Sequence, residues 1–451
     1  MTHYDPETLF DYLNGTSPRA AEIEAHLSSC PACATQAAEW REWLGETPAH
    51  ERAGEDLPAI NPGHIGEIVA LAERLEWEGE VAPALCDEIL AGPEAWWLQH
   101  VRKTAGTQTA GIIRYLLERV RSTIEQSPAR ATQITTLALQ LAEELDPTAY
   151  PREYVDNVHG QALRSRALML SFTGRYHEAL ECAGRAQALF ESVPGTSFEL
   201  ARLAMVKASA LQYVERAEEG MALLRAAAAT FRAHGEHLWS VDARITEGSV
   251  MYNTGAVERA LEIWRAVASH PLLDEIRTVR LTHNIALCHA DLGHPAEAIP
   301  AATRCVAEFE RLNMPSERTR SRMLLGRALI ASGRPADALP VLRKSRREYL
   351  ELSLTVEAGV AALELAEALL AINRPYEVPT ICRELIAEFT KAGMRTPAIT
   401  ALAYLNEAVA LGKVSAQIVR DARLSLGRHC AEQPRLFAPG PAGRTNDPRQ
   451  D

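Results

Sequence analysis

A chain of 451 residues is too long for one compact core, so it holds about two or three domains or is a repeat array that grows without a single centre. Alanine and leucine dominate, only 6% of residues are aromatic, 24% are charged, and runs of Val, Ile and Thr are scarce, which predicts an all-α protein. The formal net charge is −12, of which residues 1–60 carry −8 through eleven acids against three arginines; this argues against direct nucleic-acid binding, which needs Lys and Arg to displace counterions, and suits a basic protein partner.

No apolar run nears the roughly 18 residues that cross a bilayer. The first residues, "MTHYDPETLF", are acidic where a leader peptide would be basic, so the expectation is a cytoplasmic protein with no membrane contact. Of eight cysteines only Cys30 and Cys33 are closely spaced. Cys86, Cys182, Cys288, Cys305, Cys382 and Cys430 are scattered through helical sequence, as buried small hydrophobes are.

Taken in chain order, Asp5 is a helix N-cap with Pro6 at the first helical position, and Leu9, Phe10 and Leu13 form an apolar face before Asn14-Gly15 ends the helix. Ser17-Pro18 repeats the start signal for a second helix through Ile23, His26 and Leu27. A third begins near Pro31 and ends before Gly45.

His26, Cys30 and Cys33 form HxxxCxxC. His26 and Cys30 lie one turn apart on a shared face, and Cys33 sits in the first turn of the next helix, where the dipole favours a thiolate. Three such ligands suit structural Zn²⁺, which takes four tetrahedral nitrogen and sulfur donors. His3, ahead of the first helix, is the best fourth candidate, with Asp5 and Asp11 behind it. No HExxH pair accompanies them, so the metal is read as a clamp for a module too small to bury much apolar surface.

"LFDYLNG" followed by "IEAHLSSCPAC" resembles the zinc-binding anti-sigma domain over residues 1–45. The resemblance implies a small helical bundle that grips an extracytoplasmic-function sigma factor, with His26, Cys30 and Cys33 as zinc ligands and His3 as the fourth. Many members of that family continue into a transmembrane helix, whereas this chain continues into further amphipathic helices.

Residues 46–63, punctuated by Gly and Pro, read as a linker. Residues 64–148 contain helical segments without clear repeat marks, among them "EAWWLQHVRK", whose Trp96-Trp97 pair is expected in the core. From 149 to 432 the chain repeats. Ala179, Gly220, Ala260, Ala298, Ala338 and Val378 share one position, separated by 41, 40, 38, 40 and 40 residues. Twelve residues before each stands another small residue: Ala167, Ala208, Gly248, Ala286, Gly326 and Ala366. Small residues at two fixed positions let paired helices approach closely, and Gly174, Gly255, Gly293 and Gly333 make the turn between them. Glu215 and Asn373 replace that glycine in the second and sixth copies, weakening the turn signal there.

"HNIALCHADLGHPAEAI" and "SFTGRYHEAL" resemble tetratricopeptide repeats, in a long-period form near 40 residues. The resemblance implies an α-solenoid of about six repeats whose concave face binds a protein or peptide. Gln212, Tyr252, Asn253, His283, Arg327 and Glu367 fall on the inner helices and are the candidate partner-binding residues, without the Lys and Asn cluster of a carboxylate clamp. Residues 433–451 read as a disordered tail.

No phosphate loop, dinucleotide fingerprint or nucleophile elbow occurs, and the fourteen histidines are dispersed, so a non-enzymatic protein is expected. The leading expectation is an anti-sigma regulator with the repeats as signal receiver; the alternative is a repeat scaffold in a signalling or protease-linked complex without a sigma partner.

Overall fold

The computed structural model describes residues 3–4, 6–13, 17–31, 33–34, 37, 65–104, 106–271, 273–391, 405 and 418–419, and among them there is no strand. The expected linker at 46–63, the tail at 433–451, Asp5, Asn14-Gly15, Cys430 and most of the third N-terminal helix lie outside the described residues.

Helix α1 spans Pro6–Leu13 and α2 Ala20–Leu27. The second start signal is displaced: Ser17 Oγ accepts the Arg19 amide at 3.3 Å in a local turn, and the helix begins only after Arg19, without a side-chain cap. Four helices follow, α3 (Ile65–Ala91), α4 (Glu94–Lys103), α5 (Ala110–Thr123) and α6 (Pro128–Glu143). The Trp96-Trp97 expectation holds for one residue of the two. Trp97 is buried, donates to Gly92 O at 2.9 Å and is covered by Arg130, whereas Trp96 is 67% exposed, because adjacent helical residues point about 100° apart.

The repeats form six antiparallel pairs: α7 (Arg152–Phe172) with α8 (Tyr176–Glu191), α9 (Ser197–Leu211) with α10 (Ala217–Ala233), and α11 (His237–Asn253) with α12 (Val257–Ala268). Next come α13 (Glu275–Asp291) with α14 (Pro295–Arg311), α15 (Pro315–Ala331) with α16 (Pro335–Glu351), and α17 (Thr355–Ala371) with α18 (Val378–Lys391). The twelve small or Val positions of the repeat register are all buried, one on each helix. The reason is steric. A Cβ on Gly326 would stand 2.5 Å from Leu342 of the paired helix, and one on Gly220 would stand 3.4 Å from the Ala208 backbone.

Each pair turns through the same backbone device. The residue after the left-handed one donates its amide five residues back: Arg175 to Leu170 O, Ala256 to Met251 O, His294 to His289 O and Arg334 to Leu329 O, at 2.7–2.9 Å. Glu215 and Asn373 make the same turn, both at φ 59°, with Arg216 donating to Leu211 O and Arg374 to Leu369 O. The pairing of the flanking helices thus imposes the turn even on a glutamate. Left-handed backbone costs a residue with a Cβ on the order of 1–2 kcal/mol, part of which glycine returns as unfolded-chain entropy. Glu215→Gly is therefore expected to stabilise the chain by about 0.5–1 kcal/mol, read as a higher urea midpoint at unchanged slope; a lower midpoint would refute the strain.

First helices of successive pairs touch one another and form the inner wall. The superhelix also turns back on itself. Glu125, just past α5, accepts the Ser316 amide and hydroxyl at its carbonyl (3.3 and 2.8 Å) and Arg280 at its carboxylate (2.6 Å), while Phe172 packs beside Tyr349 and Leu354.

Candidate metal centre

Among the described residues, the N-terminal helices pair over a core cluster of Leu9, Ile23, Cys30 and Cys33, flanked by Tyr4, Tyr12, Leu13 and Leu27. Beyond α2 the backbone keeps turning. Cys30 donates its amide to His26 O at 2.9 Å and accepts the Ala34 amide at 3.0 Å, so the loop joining His26 to Cys33 is held by the two cysteine-flanking turns themselves.

His3 Nδ1 lies 3.3 Å from Cys30 Sγ and 3.5 Å from Cys33 Sγ, and one donor atom from each of His3, His26, Cys30 and Cys33 falls within 4.8 Å of the others. Nitrogen and sulfur ligands on a tetrahedral zinc stand roughly 3.5 Å apart, given bond lengths of about 2.0 and 2.3 Å. The His26 ring is fixed edge-on to Tyr4 at 4.9 Å, with Arg19 over the far ring at 5.4 Å. Its Nε2 is buried without a hydrogen-bond partner, a vacancy that a metal bond satisfies. Burial raises the Cys33 thiol, the Tyr4 backbone opposes it and Cys30 adds to it; a coordinated cation reverses this by binding the thiolate. The donor set and spacing are ones that could hold a metal ion. His3 is the fourth member of the cluster, while Asp5 and the Asp11 side chain lie outside the described residues.

The remaining described cysteines, Cys86, Cys182, Cys288, Cys305 and Cys382, are buried and unbridged, and burial pushes their thiols up to about 11–12.

On the inner wall, Gln212, Tyr252, Asn253, His283 and Arg327 line one cavity of about 440 Å³; Glu367 is buried on α17 outside that lining. These side chains hold one another. Asn253 donates to Gln212 at 2.9 Å and to Tyr213 at 3.3 Å, Tyr252 donates to Asp291, and Arg327 reaches Asp291 at 3.3 Å and Glu364 at 2.9 Å. His283 Nδ1 bonds Ser321 Oγ at 3.0 Å. The same cavity takes Tyr213, Arg320 and Tyr349, which residue-by-residue reading of the inner helices passed over. Tyr213 follows the first helix of the second pair, and Arg320 and Tyr349 come from the two helices of the fifth, so no short spacing marks them.

Buried histidines give the fold a pH limit. Burial pushes His270, with His237 adding to the effect, and His283, facing Glu317, Arg320 and Arg327, down to about 4 from the ordinary 6.5. The unfolded chain takes up protons below pH 6.5 where the folded chain does not, so their contribution is complete above pH 6.5 and is lost as pH falls towards 4. Each costs on the order of 1.4 kcal/mol per pH unit. The urea midpoint is expected to drop steeply across that window, and His270→Gln/His283→Asn to flatten the drop.

No family model matches the chain, and no curated protein matches it. Among solved structures, it is similar to a Rap protein complexed with competence and sporulation factor, at 12% identity over 78% of this chain and 99% of that one, TM-score 0.47. It is similar also to a signal transduction ATPase with numerous domains and a tetratricopeptide repeat sensor from Pyrococcus horikoshii, at 14% identity and TM-score 0.48, covering 77% of this chain and 52% of that one. Aspartyl phosphate phosphatase F from Bacillus subtilis gives 12% identity, 69% and 82% coverage and TM-score 0.43. At these identities and TM-scores the likenesses add nothing to the helix pairs and turns, which themselves define a tetratricopeptide-like solenoid.

Proposed function

We propose that this chain is a regulator that binds another protein through a zinc-stabilised module at residues 1–45, as an anti-sigma factor sequestering an extracytoplasmic-function sigma factor in the cytoplasm. In this reading the repeats at 149–432 receive the signal through a protein or peptide on the inner wall, and the chain works by binding without catalysis. The observation that carries it is the convergence of His3, His26, Cys30 and Cys33 at metal-ligand spacing, within the segment that resembles the anti-sigma domain. Zinc held by these four side chains supplies the cross-link that a core of a few apolar residues lacks. The −8 charge of residues 1–60 favours a basic partner. No described helix is long and apolar enough to cross a membrane.

The test is affinity capture of the intact protein from its native cell, beside Cys30→Ser/Cys33→Ser, with zinc measured on both. Capture of a sigma factor by the zinc-loaded form alone supports the reading. Zinc with other partners only favours the scaffold alternative, and absence of zinc removes the metal module from the account.

A further inference from the structure

A second inner-wall cavity, of about 650 Å³, lies between α3, α5, α7, α9 and α11, and it shares none of the candidate partner-binding residues. All of its cationic lining is arginine. Arg121 comes from α5, Arg164 from α7 and Arg202 from α9, with Arg114 nearby. Arg202 and Arg121 both lie over the Trp239 ring, at 4.8 and 5.8 Å from its centre, and Trp239 is itself braced by Phe198 and Phe231. Stacking on an indole fixes a guanidinium plane and leaves its edge donors aimed outward, the arrangement that grips a carboxylate or phosphate with two parallel hydrogen bonds.

The charges are unbalanced among the described residues. One carboxylate, Glu199, serves both Arg164 and Arg202, the latter at 3.5 Å. Arg121 has no acidic partner among the described residues, and the other acids of the lining, Glu76 and Glu118, are exposed at its edge. The Arg164 side chain is only 11% exposed. Burial and the neighbouring charges of Arg202 and Arg121 hold its charged form well below the ordinary arginine range, and burial with Arg121 pushes Arg202 down to about 10. Two partly buried guanidinium groups, Arg164 and Arg202, therefore share one carboxylate beside the apolar surfaces of Leu168 and Met205, and the more exposed Arg121 adds a third like charge over Trp239. Bringing an anion to the same point relieves their repulsion.

The geometry points to an anion-binding site in this cavity, in which Arg121, Arg164 and Arg202 hold the carboxylate or phosphate group of a ligand whose apolar body rests beside Trp239. The group has two possible carriers, a free organic phosphate or the acidic side chain of a peptide. A volume of about 650 Å³ accepts either, being within the roughly 300–1,000 Å³ of small-ligand pockets. The site does not depend on the zinc module.

The experiment is calorimetric titration and thermal denaturation of the full chain with phenyl phosphate and with N-acetyl-Leu-Glu amide, against sodium chloride at equal ionic strength. At least one probe is expected to bind and raise the melting temperature above the chloride reference. Arg121→Gln is expected to weaken that binding at least tenfold while retaining the helical circular dichroism and a melting temperature no lower than the parent's, since it removes a repelled charge. Arg346→Gln, whose guanidinium pairs with Glu384 and Glu388 at the other end of the array, serves as the charge-matched control and is expected to bind as the parent does. A response to phenyl phosphate alone assigns a phosphate carrier, and a response to the peptide alone assigns a peptide carboxylate. If neither probe exceeds chloride, or if Arg121→Gln binds as tightly as the parent, the site is refuted.

Discussion

Cys30→Ser/Cys33→Ser is expected to abolish zinc binding and unfold the N-terminal module while the repeat array keeps its own thermal transition. Serine hydroxyls remain protonated at neutral pH and do not replace thiolates around zinc, leaving two histidines as ligands. Structural zinc contributes on the order of 10–16 kcal/mol in small metal-dependent domains. The fully buried apolar side chains of Leu9 and Ile23 contribute about 1.5–3 kcal/mol each, far less than the ordering entropy of a segment that size, at roughly 1–2 kcal/mol per residue. Zinc content by atomic spectroscopy and amide exchange over residues 3–34 read the result. Parent-like protection in a zinc-free double variant would show that the side chains pack without metal.

Gly248→Ala is expected to destabilise the array, whereas Gly184→Ala is expected to stabilise it. Gly248 lies on α11 against the buried Trp264 of α12, where a Cβ would stand 2.3 Å from Nε1 and 2.7 Å from Cδ1. The indole has no room to withdraw, because Nε1 donates to Ile245 O at 3.0 Å and the ring is packed by Leu261, Val267 and Leu281. Overpacking costs about 1–3 kcal/mol, and loss of the indole hydrogen bond adds about 1 kcal/mol. The helix preference of alanine returns roughly 1 kcal/mol, leaving a net loss of about 1–3 kcal/mol. Gly184 faces open space on α8, so only the helix preference acts there, stabilising by about 0.5–1 kcal/mol. Urea midpoints of the two variants decide the matter, and equal signs would contradict the close approach at Gly248.

Most of the solenoid was legible because its rules are local and recur. A small residue at one position and another twelve further on both lie where two antiparallel helices touch, so steric exclusion writes the same mark in every copy. The turn was legible from glycine where glycine occurs. At Glu215 and Asn373 the local signal was lost, yet the structure is unchanged, because the adjoining helices pack in only one way. HxxxCxxC was likewise a one-turn relationship, and Cys30 donating its amide to His26 O shows why the spacing works.

The sequence by itself determined the all-α class, the register of the six helix pairs and the HxxxCxxC candidates, since each depends on residues within a turn or two of one another, and it ranked His3 first of three candidates for the fourth place. Tertiary structure alone decided that His3 meets Cys33 across 30 residues, that Trp96 faces solvent while Trp97 is buried, and that Arg121 and Arg202 meet over Trp239 beside Arg164. The last of these convergences depends on how successive pairs rotate about the superhelix axis. That rotation is the sum of many weak side-chain contacts and leaves no fixed spacing along the chain.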